Sequence, residues 1–450
     1  MTVLAPATWW RGLGSLTRSG SAVEGLSWAL YDFANTIFSF AIVSFAMGPW
    51  ATRLLGEGPG TFLFTLAASS AVALNAAVSP VLGAMSDRTG GRKRYLLVFT
   101  VGCVVPTAII GLVDIRLGLL AFALANFSYQ AALIYYDALL PDVARAETRG
   151  RLSGIGVGLG YLGSIVSALL YGLTTDADGQ TTAASFLLVA SLFAVFAIPI
   201  FAIVTERRPA SAASFRVGDA VRSWGQLAAT LRHAREVPGL LRFVVARFFY
   251  TDPVNTAIAV MSLFAIHAVG FTESETRGVL ILLIVVAVLA SFGWGWLADR
   301  WGPKRTLLAV LASWVAGLLL IGLVLDQRTF LVAGAILGSG LGGVAVTDRL
   351  LLIRLAPRER VGEMFGLFGL VGKLSAVVGP LLYGTIVLVL EPSLDRVAYQ
   401  IAILSLLALM LVGIWILRLV PEPPAIGAAE GQPPATPLEP AIVPPGGLPR

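Results

Sequence analysis

Cysteine occurs once in the 450 residues, at Cys103, and histidine twice, at His233 and His267. One cysteine excludes a disulfide framework, and so few soft ligands exclude a His/Cys metal centre. Charge is also scarce. Only 13% of the residues are Asp, Glu, Lys or Arg, against about 25% in soluble domains. Of the 32 basic residues only three are lysines, Lys93, Lys304 and Lys373. No charged-then-apolar stretch with a small-residue cleavage site opens the chain, so no cleaved signal peptide is expected. No nucleophile, triad or metal cluster is spaced for catalysis, and no nucleotide-binding loop is present. Gly372-Lys373 looks like a fragment of such a loop, but Leu374 stands where a hydroxyl residue is required.

What the chain has in abundance is apolar sequence. Hydrophobic residues make up 57%, and the mean hydropathy is +0.83. Stretches long enough to cross about 30 Å of hydrocarbon fall at about 25–50, 61–84, 95–113, 117–138, 152–173 and 183–204. A second set falls at about 240–267, 276–297, 306–325, 329–351, 363–390 and 397–419. The fold class expected is an all-α polytopic membrane protein of twelve helices in two six-helix bundles.

The division that follows is a lead-in over 1–24, bundles over 25–204 and 240–420, a central loop over 205–239 and a tail over 421–450. Trp9, Trp10 and Arg11 give the lead-in an interfacial character. In the loop, Val217, Val221, Trp224, Leu227 and Leu231 recur at helical spacing, which predicts an amphipathic surface helix. The tail holds 10 of the 24 prolines and no periodicity, which predicts disorder. A formal charge of +6 would suggest nucleic acid in a soluble protein. With both termini inside, however, 25 basic residues fall on inner segments and 5 on outer ones. That asymmetry predicts cytoplasmic termini and removes the need for a nucleic-acid partner.

The two bundles repeat one another. Gly83, Asp87, Arg88, Gly90 and Arg92 after the second helix return 212 residues later as Gly295, Asp299, Arg300, Gly302 and Lys304 after the eighth. Gly150 and Gly362 share that offset, as do Leu170-Tyr171-Gly172 and Leu382-Tyr383-Gly384. Asp32-x-x-Asn35-Thr36 returns as Asp252-x-x-Asn255-Thr256 at an offset of 220. Both copies begin on the same side, so the repeats are parallel and related by an axis along the membrane normal.

On twelve helices, two copies of G-x-x-x-D-R-x-G followed by basic residues resemble the major facilitator superfamily of secondary transporters. The first copy departs by placing Gly91 where a basic residue usually stands. Tyr31-Asp32-Phe33-Ala34-Asn35-Thr36, Asn126-Phe127-Ser128-Tyr129-Gln130, Leu139-Leu140-Pro141 and Arg247-Phe248-Phe249-Tyr250-x-Asp252 further resemble its vacuole-effluxer-like branch. That resemblance implies a central cavity lined by helices 1, 4, 7 and 10, amino acids as substrate, and a gating latch at Asp87 and Asp299. Helix 4 lacks the membrane arginine of many proton-coupled relatives.

Membrane-embedded charges are functional candidates because their burial is costly. Asp32 and Asp252, facing each other across the axis, are expected to meet a substrate ammonium or carry a coupling proton. Structural pairing with Asn35 and Asn255 is the bland reading of the same residues. Lys373, about 15 Å into helix 11, needs a partner, and either aspartate can supply it. With Arg247, it is expected to hold a substrate carboxylate, while Asn35, Asn126, Gln130 and Asn255 supply neutral hydrogen bonds. Asp137, Asp348 and Arg349 read equally as a gate or as helix caps. The glycines of helices 5 and 11 predict close helix contacts.

The expected function is alternating-access efflux of a small solute, chiefly amino acids, coupled to protons. The expected partners are the solute, H+ and membrane lipids, with a monomeric chain, no cofactor, no metal and no catalytic residue. A lipid or lipid-linked-sugar flippase and a non-transporting receptor or scaffold are the alternatives. Short loops and 29 arginines to three lysines point to a GC-rich bacterium and its inner membrane.

Overall fold

A computed structural model describes residues 12–176, 181–207 and 231–422, and these are almost wholly helical. Hydrocarbon offers no partner for a backbone N–H or C=O, so an apolar chain satisfies both within helices. The first half comprises α1 (Ala22–Phe38, continuing through a π-helical stretch Ser39–Ala46 into Met47–Leu55), α2 (Glu57–Thr89), α3 (Arg92–Ile109), α4 (Ile115–Val143), α5 (Arg149–Gly172) and α6 (Ala183–Ile203). The second comprises α7 (Leu240–Phe264, with a π turn Ala265–Val269), α8 (Glu273–Trp301), α9 (Pro303–Leu323), α10 (Gln327–Leu355), α11 (Val361–Leu394) and α12 (Arg396–Arg418). Among the described residues, ten segments are long and apolar enough to cross a membrane. The other two long helices are α5 and α7.

Capping residues fix where the helices begin. Ser21 caps α1 by accepting the Glu24 N–H, so Asp32 sits about 15 Å into the helix, one turn deeper than a start near Gly25 implies. Asp114 and Asp326 cap α4 and α10 in the same way. Hydrogen bonds from the Thr329 side chain and amide hold the exposed Asp326 carboxyl below the usual carboxylate range. At the ends of α2 and α8 the chain turns through Gly90 (φ 65°) and Gly302 (φ 86°). There a side chain would be strained.

Within the first half, α1 packs on α5 and α6, and α4 packs on α2 and α3. In the second, α7 packs on α11 and α12, and α10 on α8 and α9. Two contacts dominate between the halves, α2 with α11 and α5 with α8. The 212-residue offset maps α2 onto α8 and α5 onto α11, so each contact is the image of the other.

The end of the molecule with the α2–α3, α4–α5, α8–α9 and α10–α11 connections is called here the basic face. There residues 16–18 pair with residues 143–145. The Arg18 N–H donates to Val143 O (2.8 Å), and the Arg145 N–H donates to Leu16 O (3.3 Å). The described part of the lead-in therefore packs on a turn between helices, because its backbone finds partners there. Trp9, Trp10 and Arg11 lie outside the described residues. So do Val217, Val221, Trp224 and Leu227 of the amphipathic stretch, and residues 423–450 of the tail.

Candidate functional site

Three features stand out: a pair of motif contacts on the basic face, termed latches, an ion-paired cluster where the halves meet, termed the gate, and a polar cavity lined by the first half.

In the latches, each motif aspartate accepts N–H groups from the start of a helix in the other half, where unpaired donors and the helix dipole favour a negative charge. Asp299 takes the Gly150 N–H (2.7 Å) and the Arg151 N–H (2.9 Å) of α5, together with the Arg151 guanidinium (3.1 Å). Asp87 takes the Glu363 N–H of α11 (2.7 Å) and pairs with Arg92 of its own half (2.9 Å). Arg92 is 3% exposed and also donates to Ala138 O (2.8 Å).

Lys304, its counterpart in the repeat, bonds Arg418 O at the end of α12 (3.3 Å) rather than Asp299. Arg300 lies on the surface over the Trp296 ring, and Arg88 is likewise exposed. The glycines let the helices approach. A Cβ on Gly83 would stand 2.0 Å from Gly362 O, and one on Gly295 would stand 2.5 Å from Gly150 O.

In the gate, Asp137 of α4 and Arg349 of α10 form an ion pair across the halves (2.9 Å), with side chains 14% and 10% exposed. Their numbers differ by 212, so they occupy equivalent positions in the two repeats. The Arg349 guanidinium lies over the Trp28 and Tyr136 rings, which stack on each other with centroids 4.6 Å apart. Beside it, Arg247 pairs with Asp348 (2.8 Å), donates to Phe368 O (3.0 Å) and lies over the Phe368 ring. The Tyr250 hydroxyl bonds Asp348 as well. Arg247 is thus engaged by α10 and α11 at the gate and does not line the cavity.

The cavity has a volume of about 380 Å³ and is lined by the first half. Its polar groups come from Thr36, Ser39, Ser44, Asn126, Gln130 and Ser164, with Tyr129 and Phe40 as aromatic walls. Ser39 and Ser44 belong to the π-helical stretch of α1, where the Met47 N–H reaches back five residues to Ile42 O. Widened turns of this kind favour functional sites because they re-aim side chains. Gln130 Nε2 donates to Asn126 Oδ1 (3.4 Å), so both amides keep hydrogen-bonding capacity for a ligand. Asn35 is 3% exposed, its Oδ1 has no partner among the described residues, and it does not line the cavity.

Asp32 lies one helical turn from Thr36, on the basic-face side of the cavity. It packs against Gly160 of α5, where an added Cβ would stand 3.5 Å from the Asp32 carboxyl carbon. Lys373 crosses from α11 to α2, where its ammonium bonds Asn75 and, at 3.4 Å, Ser79. Asn75 in turn donates to Phe127 O, next to Asn126 of the cavity wall (2.9 Å). The expected partner for Lys373, Asp32 or Asp252, is therefore corrected. Because α11 leans on α2, the ammonium meets that helix's polar residues instead of a carboxylate.

Asp252 is also placed differently from expectation. Its Oδ1 accepts the Gly379 N–H of α11 (2.8 Å), so it faces its own half and not Asp32 across the axis. Asn255, on the same helix, is half-buried. No group of three His, Cys, Asp or Glu side chains among the described residues is arranged to hold a metal.

Asn75, Ser79 and Ser164 are absent from the sequence expectations, and Tyr129 enters them only as part of a motif. Lys373 signalled that a buried partner must exist but not that it is neutral, and the cavity residues carry no charge that would mark them.

Solved transporters share this architecture. The human organic anion transporter MFSD10 superposes with a TM-score of 0.71 at 15% identity, covering 88% of this chain and 98% of that one. The fucose:proton symporter FucP of E. coli does so at 0.66 and 12%, with the same coverage. Two parallel six-helix repeats, in contact through the motif loops at one face, thus have the major facilitator fold.

The sequence matches the family described as vacuole effluxer Atg22 like over residues 61–150 and 144–429. The chain belongs to that family. An uncharacterised MFS-type transporter of Bacillus subtilis, YxiO, is 26% identical over 426 residues, covering 90% of this chain and 96% of its own. Autophagy-related protein 22 of Coccidioides immitis is 24% identical over 277 residues, covering 56% of this chain and 45% of its own.

Proposed function

We propose that this transporter moves zwitterionic amino acids outward by alternating access, driven by a coupling proton, with its basic face in the cytoplasm of a bacterial inner membrane. One observation carries the substrate reading. A neutral, amide- and hydroxyl-lined cavity is flanked on its basic-face side by a carboxylate, Asp32 on α1, and an ammonium, Lys373 against α2. A solute with both charges meets complementary groups beside the cavity, while Asn126, Gln130, Ser39 and Ser164 bond its neutral part. Substrate competes for Lys373 with Asn75, so binding loosens the α2–α11 contact at mid-depth and favours rearrangement of the two halves.

The orientation reading is supported by the charge asymmetry. With the basic face inside, the latches and the Asp137–Arg349 pair close the cytoplasmic end. Asn35 and Asn255 are assigned to the support of Asp32 and Asp252, and Arg247 to the gate. The monomer, with lipid around it, is the working unit.

A thermal-shift screen of purified protein against the common amino acids, sugars and peptides tests the substrate reading. The expected result is stabilisation by a subset of amino acids, lost in both Asp32→Asn and Lys373→Met. At ligand one hundred times its Kd the gain is about 2.7 kcal/mol, which is several degrees for the wild type. Stabilisation by sugars alone, undiminished in both variants, would contradict it.

A further inference from the structure

The α7–α11 contact leaves two oxygens unmatched at one place. Asp252 is 1% exposed and Thr256, one turn on, is 0% exposed. Asp252 Oδ1 accepts the Gly379 N–H, but neither Asp252 Oδ2 nor Thr256 Oγ1 has a partner among the described residues. Both face the notch left by Gly379. A Cβ built on that glycine would stand 2.1 Å from Thr256 Oγ1 and 2.5 Å from Asp252 Oδ2. Pro380 follows at once and lacks an N–H, so Ala376 O has no helical donor four residues on.

Among the described residues, the charged groups of the surrounding helices are committed elsewhere or stand at the helix ends. On α7, Arg247 is held by Asp348 of α10, and Tyr250 bonds the same carboxylate. On α11, Lys373 is held by Asn75 and Ser79 of α2, and the buried Tyr383 hydroxyl has no partner among the described residues. On α12, Arg396 and Arg418 stand at the two ends of the helix. A carboxylate buried in this way, with one of its two oxygens unmatched, is stabilised by a positive charge brought from outside the protein.

We propose that the notch formed by Asp252, Thr256 and Gly379 is the coupling-cation site of the transporter. It takes one positive charge, a proton or a sodium ion, and is separate from the solute-binding residues Asp32, Asn126, Gln130 and Lys373. A proton converts Oδ2 to a neutral hydroxyl that faces Thr256 Oγ1 across the notch. A sodium ion sits between the two oxygens. In either case the charge enters from one aqueous side and leaves to the other, and Asp252 returns to a carboxylate. Because Asp252 also holds the Gly379 N–H, loading the site acts on α11 at its proline break, and α11 is the helix that bears Lys373. This assignment rests on the transporter reading, but its central test needs no solute.

Infrared spectra of the purified full-length protein, recorded with sodium and with choline in its place, are compared with thermal melts of the same samples. A proton site gives a protonated-acid carbonyl band that is lost in Asp252→Asn and shifted in Thr256→Val, whatever the salt. A sodium site gives no such band but a sodium-dependent rise in Tm, lost in Asp252→Asn and weakened in Thr256→Val. Folded variants that match the wild type in both readouts overturn the proposal, even if amino acids prove to be the substrate. In vesicles, Asp252→Asn is expected to keep solute exchange and lose gradient-driven accumulation. Accumulation undiminished in Asp252→Asn overturns the coupling role.

Discussion

Reversing the charge of either gate residue, Asp137→Arg or Arg349→Asp, is expected to hold the basic face open, and the double swap to close it again. The pair joins α4 to α10 at 2.9 Å and is largely buried. Either single change faces two like charges at that distance. Breaking a buried pair costs about 3–5 kcal/mol, roughly a hundred- to several-thousandfold in the closed-to-open ratio. With the basic face open the partners separate and water reaches both, so the penalty falls on the closed state alone. The two positions are equivalent in the repeats, so the swap places each charge where the pseudo-symmetry puts its partner.

Labelling reports the outcome. The native Cys103 is buried, and Ser153, which the Arg349 guanidinium contacts at 3.3 Å, becomes the reporter as Ser153→Cys. Slow labelling is expected in the parent and the swap, and fast labelling in both single variants. Equal labelling in all four would remove the pair from gating.

The second large effect concerns the helix crossings. Gly83→Val and Gly295→Val are each expected to abolish turnover in a protein that still folds. The added Cβ meets backbone carbonyls, Gly362 O at 2.0 Å and Gly150 O at 2.5 Å. No rotamer change can move these atoms aside. Each variant therefore forces apart α2 and α11 or α5 and α8 in the latched state, while the interior of each half is untouched. Gly293→Val is the control, because nothing lies within 4 Å of its Cβ, and it is expected to transport normally. Solute flux in vesicles, with melting curves to check folding, separates the cases. Normal flux in Gly83→Val would show that the close crossing is dispensable.

The fold was legible because two signals are encoded along the chain itself. Apolar length marks the spans, and the 212-residue register pairs Gly83 with Gly295 and Asp87 with Asp299. The same register relates Asp137 to Arg349, so their meeting on the axis was available from their numbers, although a capping role competed with it. Side-chain partners were less legible. Lys373 was visible as a costly buried charge, but its partners Asn75 and Ser79 are neutral residues on a distant helix. Only the lean of α11 on α2 brings them together. The π-helical stretch of α1 left no mark either, since Ser39–Ala46 reads as ordinary apolar helix and its widening depends on packing. Asp252 was identified as important and misplaced in direction, because a helix period gives a face but not the neighbour that covers it.

Counterflow of labelled amino acids into proteoliposomes preloaded with an unlabelled amino-acid mixture tests the central claim most directly. Label is expected to enter vesicles containing the wild type well above empty vesicles and to fall to that background with Asp32→Asn. Wild-type entry at the level of empty vesicles, or equal entry with Asp32→Asn, would contradict an amino-acid transporter built around Asp32.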